Sequence, residues 1–296
     1  MTISGILSID KKKSTLMWFL VPISVYMVVF FLYPVLYNIF IGFFDLKLGR
    51  TPVFNGVSNY REMLADTQFL NSLITTLVFV FSAVSVEVIF GMLIAFLLNH
   101  ENRVMEIIRT FILIPTVFTP LVAGLVWKSL YHPDLGMITY YLRKFGIDIG
   151  RGLIVERSLA LGSIVVVDIW EWTPLMVIII LAGLKSLPTE PYEAARIDGA
   201  GEIPIFFKIT LPLLRPTLLV ALLIRSLDAL KVFDIIWAIT GGGPGTSTTV
   251  ANLRIYEVGM NQLRIGYAAA LSNVLLIIGV IIGIFFIKFI YQKEEL

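Results

Sequence analysis

The sequence predicts an all-α integral membrane protein with six transmembrane helices. Of its 296 residues, 57% are hydrophobic and only 15% are charged, against about 25% charged residues in an average soluble domain. The mean hydropathy is +0.88, and several uncharged runs reach or approach the ~20 residues that cross a bilayer as a helix. A soluble core cannot bury that much apolar surface, so we expect one membrane domain.

The apolar runs give the helices in order. The first run carries no charge from Leu16 to Phe44, which is too long for a signal-peptide core of about 7–15 residues, so it is interpreted as a retained first span. The segments 45–69 and 131–158 are expected to be longer polar loops, and a TGGGPG loop follows the fifth run. The six predicted helices cover about 16–44, 70–99, 107–130, 159–184, 211–239 and 266–290.

Charge and composition indicate the orientation in the membrane and exclude some functions. The three lysines Lys11–Lys13 precede the first span and favour a cytoplasmic N-terminal tail at 1–15, although positive charges are otherwise nearly balanced between the two sides. With an even number of spans, both termini are then expected in the cytoplasm. The net charge of +2 is too small to indicate nucleic-acid binding, and the absence of cysteine excludes disulfides and thiol chemistry.

A short polar helix is expected at about 190–198, between the fourth and fifth spans, in a segment that reads EAARIDGA from Glu193 to Ala200. Thr189 can cap it, Glu190 and Pro191 suit its first turn, and Gly199 and Gly201 suit its end. Small side chains would let another protein approach its backbone closely. A helix that only connects two spans at the membrane surface would have the same general composition. The spacing of its residues therefore has to distinguish a helix that docks on another protein from a simple connector.

That spacing resembles the signature loop of binding-protein-dependent ABC transporter permeases. Glu193-Ala194-Ala195 is followed after three residues by Gly199, then after nine by Ile209, and then by Leu211-Pro212. The DGA of Asp198 to Ala200 and the TGGGPG of Thr240 to Gly245 resemble the branch that contains the maltose and glycerol-phosphate permeases.

The resemblance implies the fold of a type I ABC importer permease, a transmembrane permease domain at 16–296 with a coupling loop at about 187–212. In that family the loop helix docks in a groove of the ATPase subunit. The resemblance therefore implies a polar contact by Glu193, a fit of Ala194 and Ala195 to the groove wall, and a tight turn at Gly199, with Asp198 and Ala200 alongside.

The partners implied by the resemblance are a second homologous permease, an ATP-binding cassette ATPase dimer, an extracytoplasmic solute-binding protein and the sugar substrate, in the lipid of the cell membrane. The chain has no G-x-x-x-x-G-K-[ST] run and no HExxH or GxSxG motif. We therefore expect no enzymatic activity and no metal or cofactor in this chain, with ATP and Mg bound by the partner ATPase.

Charged residues inside the spans are the candidates for a substrate pathway, because such charges usually face a cavity or a partner. Arg225, Asp228, Lys231 and Asp234 follow each other at i, i+3 in the fifth helix with alternating sign. They form either a structural ladder or the lining of a polar passage. The family resemblance implies that substrate binds at the middle of the fifth helix, with Asp228, Lys231 and Phe233 as candidates. Further candidates, each with a structural alternative, are Trp170 and Glu171 beside Asp168 and Trp172 in the fourth helix, and Asn273 beside Ser272 in the sixth.

The sequence therefore favours the permease subunit of an ATP-driven carbohydrate importer, which forms half of a translocation pathway and works by alternating access. Two alternatives remain at this point. A secondary transporter could use the fifth-helix charges as an ion relay, and would be expected to show inverted repeats. An integral-membrane enzyme would need a clustered acid, base or metal set within its spans.

Overall fold

A computed structural model describes residues 18–100 and 102–291. It is predominantly helical, with one two-stranded hairpin formed by β1 (Phe44–Asp45) and β2 (Val53–Phe54). In chain order the helices are α1 (Trp18–Ile41), α2 (Ser58–Ala65), α3 (Thr67–Leu98), α4 (Arg103–Phe111), α5 (Ile114–Val117), α6 (Pro120–Leu130), α7 (Met137–Lys144), α8 (Arg157–Lys185), α9 (Glu190–Ile197), α10 (Glu202–Ala229), α11 (Asp234–Ile239), α12 (Ala251–Tyr256) and α13 (Ile265–Tyr291).

Five helices of the described chain are long and apolar enough to cross a bilayer, and a bent pair raises the number to six. The five are α1, α3, α8, α10 and α13, which confirms the predicted helical membrane fold. The lysine cluster Lys11–Lys13 and the 1–15 tail lie outside the described residues.

The third predicted span, 107–130, is not one straight helix. It begins earlier, at Arg103, and the parts Arg103–Val117 and Pro120–Leu130 meet at an angle of 91°. The bend occurs at two extended residues, Phe118 with ψ 146° and Thr119 with ψ 144°. A residue before proline is pushed out of the helical region by the proline ring, so Pro120 accounts for the extended Thr119 and starts the next helix.

The fifth predicted span, 211–239, is wrong at both ends. The helix α10 begins at Glu202, continues through a π-helical turn at Phe206–Thr210 and ends at Ala229. Pro204 in the sequence predicts a break in the chain near this point, but none occurs, because a proline in the first turn of a helix lacks only an N–H that has no helical partner there. A separate helix, α11, starts at Asp234, whose carboxylate is favoured at a helix N-terminus.

Two compact units divide the chain. In the described part of the first, residues 18–65 and Ile255–Val274, the predicted 45–69 loop contains the hairpin and α2. Phe44 pairs with Phe54 across the strands, and the buried Asn59 side chain donates hydrogen bonds of 2.9 Å to the Gly42 and Phe44 carbonyls. The Arg264 guanidinium, just before α13, donates hydrogen bonds of 2.7 and 2.6 Å to the Glu62 carboxylate on α2.

The second unit covers Asp66–Arg254 and the chain from Leu275. Here α3 packs along α8, and α10 packs on both. Glycines set the close approaches: a Cβ placed on Gly91 would lie 2.7 Å from the Met176 Cβ, and one on Gly183 would lie 2.6 Å from the Thr217 Cγ2. These contacts hold the C-terminal halves of α3 and α8 against each other and the end of α8 against α10, and the polar side chains of the three helices meet further along the same bundle.

Candidate functional site

The segment 187–212 forms a short helix followed directly by a span. The predicted helix at 190–198 is α9, with Pro191 in its first turn, as expected, and Thr189 at its N-cap. Within the described residues the Thr189 side chain makes no capping hydrogen bond. Gly199 follows with a φ of +78°, a left-handed conformation that glycine adopts without a Cβ penalty, and the turn is closed by a 2.9 Å hydrogen bond from the Ala200 N–H to the Ala195 carbonyl.

The predicted contact residues on α9 are accessible. Glu193, Ala194, Asp198 and Gly199 are exposed, whereas Ala195 and Ala200 are half-buried. Sequence reasoning missed Ile197, whose surface is 86% exposed although the residue is large and apolar. A polar and an apolar group exposed together on one short helix are typical of a surface that contacts another protein.

A groove of 610 Å³ lies beside α9. It is bounded by the C-terminal end of α3, the end of α8 and the start of α10. Tyr192 crosses it with a 3.2 Å hydrogen bond from its hydroxyl to Thr210, and Arg196 lies 3.8 Å from Glu202. The groove lining includes Phe96, Asn99, His100, Leu184, Leu187, Tyr192, Glu193, Arg196, Glu202 and Phe206.

A buried ion network joins three spans of the second unit. The Arg225 guanidinium on α10 donates to both oxygens of Glu87 on α3, at 2.7 and 3.0 Å, and to Asp168 on α8. It also donates to Asp228 at 3.1 Å. The Arg225 side chain is 2% exposed and those of Glu87 and Asp168 are 0% and 4% exposed, so each charge depends on the others for the stabilisation that water would supply.

The predicted Arg225–Asp228 pair is therefore present, but the ladder does not continue along one helix face. Because α10 ends at Ala229, Lys231 lies in the break between α10 and α11, and Asp234 is the first residue of α11. Sequence reasoning missed Glu87 as a partner. The signal was available, since Glu87 is the only charged residue in the predicted span 70–99.

A cavity of 180 Å³ opens beside this network. Trp172 lies over the guanidinium of Arg225, with 5.2 Å from the ring centroid to the Cζ, and Phe233 contributes a second aromatic ring. The structure thus brings five of the residues named as pathway candidates to one site: Arg225, Asp228, Lys231, Phe233 and Asp234. The lining is Pro120, Asp168, Trp172, Arg225, Asp228, Ala229, Lys231, Val232, Phe233, Asp234 and Ile235.

Trp170 and Glu171 are next to this lining in the chain but lie elsewhere. Trp170 packs against Trp127, with 5.5 Å between ring centroids, and lines a separate, mainly apolar groove of 380 Å³. Glu171 is 1% exposed, and its carboxylate oxygens have no hydrogen-bond partner among the described residues. Neither side chain lines the 180 Å³ cavity.

Asn273 belongs to the first unit. Its side chain accepts a 2.8 Å hydrogen bond from Asn38 on α1 and donates one of 2.9 Å to the Tyr60 hydroxyl. Ser272 donates to the Ala268 carbonyl of its own helix. The structure thus shows, for Asn273, the interhelical hydrogen bonding that was one of its two sequence interpretations.

The TGGGPG loop is a compact turn in the second unit. Gly241, Gly242 and Gly245 have positive φ values, and a Cβ on Gly242 would lie 2.7 Å from the Thr249 Oγ1. The Thr248 hydroxyl donates a 2.8 Å hydrogen bond to the Gly243 carbonyl. The loop directly follows α11, whose first residue lines the cavity. Its internal hydrogen bonds therefore hold the segment after α11 in one conformation.

Long apolar helices around a small polar cavity define a multi-pass membrane protein of the transport class. The family comparison makes this specific: residues 67–293 match the binding-protein-dependent transport system inner membrane component, and the chain belongs to that family. The resemblance seen in the sequence is confirmed. The family is a class of transport components, which agrees with the expectation that the chain is a permease subunit, and a secondary transporter is not favoured.

Two curated relatives and one solved structure illustrate the match. The chain is 35% identical to the trehalose/maltose transport system permease protein MalF of Thermococcus litoralis, covering 88% of each chain. It is 34% identical to the sulfoquinovosyl glycerol transport system permease protein SmoG of Agrobacterium fabrum, covering 93% of this chain and 90% of the relative. A bacterial ABC transporter involved in the import of the acidic polysaccharide alginate has a chain with the same fold, with a TM-score of 0.81, 22% identity and coverage of 97% and 99%.

Proposed function

We propose that the chain is one of two permease subunits of an ATP-driven carbohydrate importer and forms half of the sugar pathway. The observation that carries this proposal is the chain connection of α9. The helix α8, which ends just before α9, holds Asp168, and α10, which begins just after it, holds Arg225. A force on α9 therefore reaches both sides of the cavity through two continuous helices.

The cavity itself supports a shared pathway. A complete pocket for a drug-sized ligand has a volume of about 300–1,000 Å³, whereas this one has 180 Å³. Aromatic rings and carboxylates suit a sugar, because its C–H faces stack on rings and its hydroxyls donate to acids. Relatives named for trehalose/maltose and sulfoquinovosyl glycerol transport support the same substrate class. A second, homologous permease would supply the rest of the site.

The proposed orientation has both termini and α9 in the cytoplasm, where an ATP-binding cassette dimer would dock, and the TGGGPG loop outside, where a solute-binding protein would deliver sugar. ATP and Mg would be bound by the ATPase. ATP binding would close that dimer, and α9 would transmit the closure so that the cavity alternates between outward and inward access. The exposed Glu193 and Ile197 would make the polar and apolar contacts.

The test replaces Glu193 with Lys in the assembled importer. Placing a cation where a carboxylate contacts a partner costs several kcal/mol, so we expect at least about tenfold loss of ATPase co-purification and of ATP-dependent uptake. The matched control is Glu106→Lys, the same change on α4, another exposed helix that the proposed orientation places on the same side. Unchanged association and uptake in Glu193→Lys, at equal amounts in the membrane, would refute the coupling role.

A further inference from the structure

We infer that Tyr192 is a positioning residue, which transmits the movement of α9 into α10 through its hydrogen bond to Thr210. This inference rests on the proposed function and deepens it, since it assigns the transmission of the movement to one side chain. Tyr192 is half-buried in the groove beside α9. Its role is separate from that of Glu193, because it acts within the permease and makes no contact with the ATPase.

The chain connection from α9 to α10 is flexible. It contains Gly199 and Gly201, and a Cβ on Gly199 would meet no atom within 4 Å, so neither the backbone nor its surroundings restrain this turn strongly. Arg196 approaches Glu202 across the turn at 3.8 Å, but the two side chains are 62% and 81% exposed. Exposed ion pairs of this kind contribute little. A movement of α9 can therefore be absorbed in the turn before it reaches α10.

The first part of α10 is irregular as well. Its turn Phe206–Thr210 is π-helical, and the Leu211 N–H bonds to the Phe206 carbonyl five residues back. Pro212 accounts for this turn, because a proline ring inside a helix has no N–H to donate and crowds the carbonyl four residues before it. Helices bend most readily where such a turn interrupts the regular hydrogen bonding. A movement that entered α10 at Glu202 would be weakened here a second time.

The hydrogen bond of Tyr192 reaches α10 beyond both flexible points. Its hydroxyl donates to Thr210 at 3.2 Å, and Thr210 is the last residue of the π-helical turn. The Thr210 hydroxyl in turn donates to the Ile205 carbonyl at 3.4 Å, which links the two ends of that turn. The α-helical part of α10, Leu211–Ala229, follows directly and holds Arg225.

Few other contacts could replace this bond. The groove of 610 Å³ lies between α9 and its neighbours, and no other helix packs along α9 in the described part of the chain. A slipped state, in which α9 moves and α10 stays in place, has to break the bond. One hydrogen bond changes such an equilibrium by about two- to tenfold. The bond therefore suppresses a state in which ATP is hydrolysed without a change at the cavity.

The test uses the complete importer, with the second permease, the ATPase and the binding protein, in liposomes. Tyr192→Phe removes the hydroxyl and keeps the ring. An equimolar pool of maltose, trehalose, maltotriose and raffinose is supplied, and ATP hydrolysis and sugar uptake are measured in the same vesicles. We expect unchanged ATPase association and a rise of at least about twofold in the ATP hydrolysed per sugar taken up. The matched control is Tyr140→Phe on α7, whose side chain is 60% exposed and which should leave this ratio unchanged.

The acceptor gives an independent arm of the test. Thr210→Val removes the hydroxyl at nearly constant shape and should raise the ratio at least as much as Tyr192→Phe, whereas Thr210→Ser keeps the hydroxyl and should retain the wild-type ratio. Both changes act on one bond. The double variant of Tyr192→Phe and Thr210→Val should therefore have no larger effect than the more affected single variant.

Two results would overturn the inference and leave the proposed importer function intact. One is an unchanged ratio in Tyr192→Phe, or a double variant in which the two effects multiply. The other is a loss of ATPase association in Tyr192→Phe, since Tyr192 would then be a docking contact. Uptake of none of the sugars by the unmodified importer, even when a wider saccharide pool is supplied, would refute the proposed function and this inference with it.

Discussion

The charge network makes a quantitative prediction for Arg225→Met. Methionine fills much of the arginine volume but removes every donor, and the acids left behind, Glu87 and Asp168, are 0% and 4% exposed at their side chains. Removing one partner of a buried ion pair leaves an uncompensated charge and costs about 3–5 kcal/mol. We therefore expect the free energy of unfolding to fall by about that amount.

Reversible denaturation in mixed detergent micelles measures the change. Trp172, whose ring lies 5.2 Å from the Arg225 Cζ, is one of five tryptophans, so the loss of helical circular dichroism is followed instead of total tryptophan fluorescence. The control is the triple variant Arg225→Met, Glu87→Gln and Asp168→Asn. Because it removes the stranded charges, it should recover at least about 2 kcal/mol relative to the single variant. A single variant within about 1 kcal/mol of the wild type, or a triple variant in which the costs add, would refute the network.

Two further predictions concern local structure, and thermal unfolding of the detergent-solubilised protein checks both. Asp66 caps α3 by accepting from two backbone N–H groups and lies 3.4 Å from Arg254, so Asp66→Ala should cost about 0.5–2 kcal/mol. Asp66→Asn keeps a capping acceptor and should recover most of this loss. A loss as large as that of Asp66→Ala would show that the ion pair, and not the cap, is responsible. Gly183→Ala should destabilise by about 1–3 kcal/mol, because its Cβ would lie 2.6 Å from Thr217. The same substitution at Gly162, where a Cβ would meet no atom within 4 Å, should stabilise slightly, and equal effects at the two glycines would contradict the packing described.

The sequence predicted the first, second, fourth and sixth spans well because length and hydropathy decide whether a helix can cross a bilayer. It predicted α9 well because Pro191 and Gly199 are local signals that do not depend on the rest of the fold. The bend at Thr119–Pro120 could also have been predicted, since the pre-proline restriction acts on a single residue.

The break after Ala229 could not be predicted in the same way. The residues 230–233 include no glycine or proline, so nothing local marks the end of α10. That single error placed Lys231 and Asp234 on a continuous helix face that does not exist. The structure still brings both to the cavity, because α11 packs against α6 and α8 and both residues line the same space.

The partners of Arg225 show a second limit. An i, i+3 spacing predicts the contact with Asp228, but the contacts with Glu87 and Asp168 join residues 138 and 57 positions apart in the chain. Only packing decides such pairs. A lone acid in an otherwise apolar span does indicate that a counter-charge lies nearby, so Glu87 could have been listed as a candidate without its partner being named.

The guanidinium of Arg225 has a mechanical consequence. It fastens α3, α8 and α10 to one another at a single depth, and sliding any of the three would break bonds to a charge that has no water to replace them. These helices are therefore expected to tilt together as one block. Opening and closing of the passage would then occur at the outer faces of that block, and its interior would keep the same neighbours throughout the cycle.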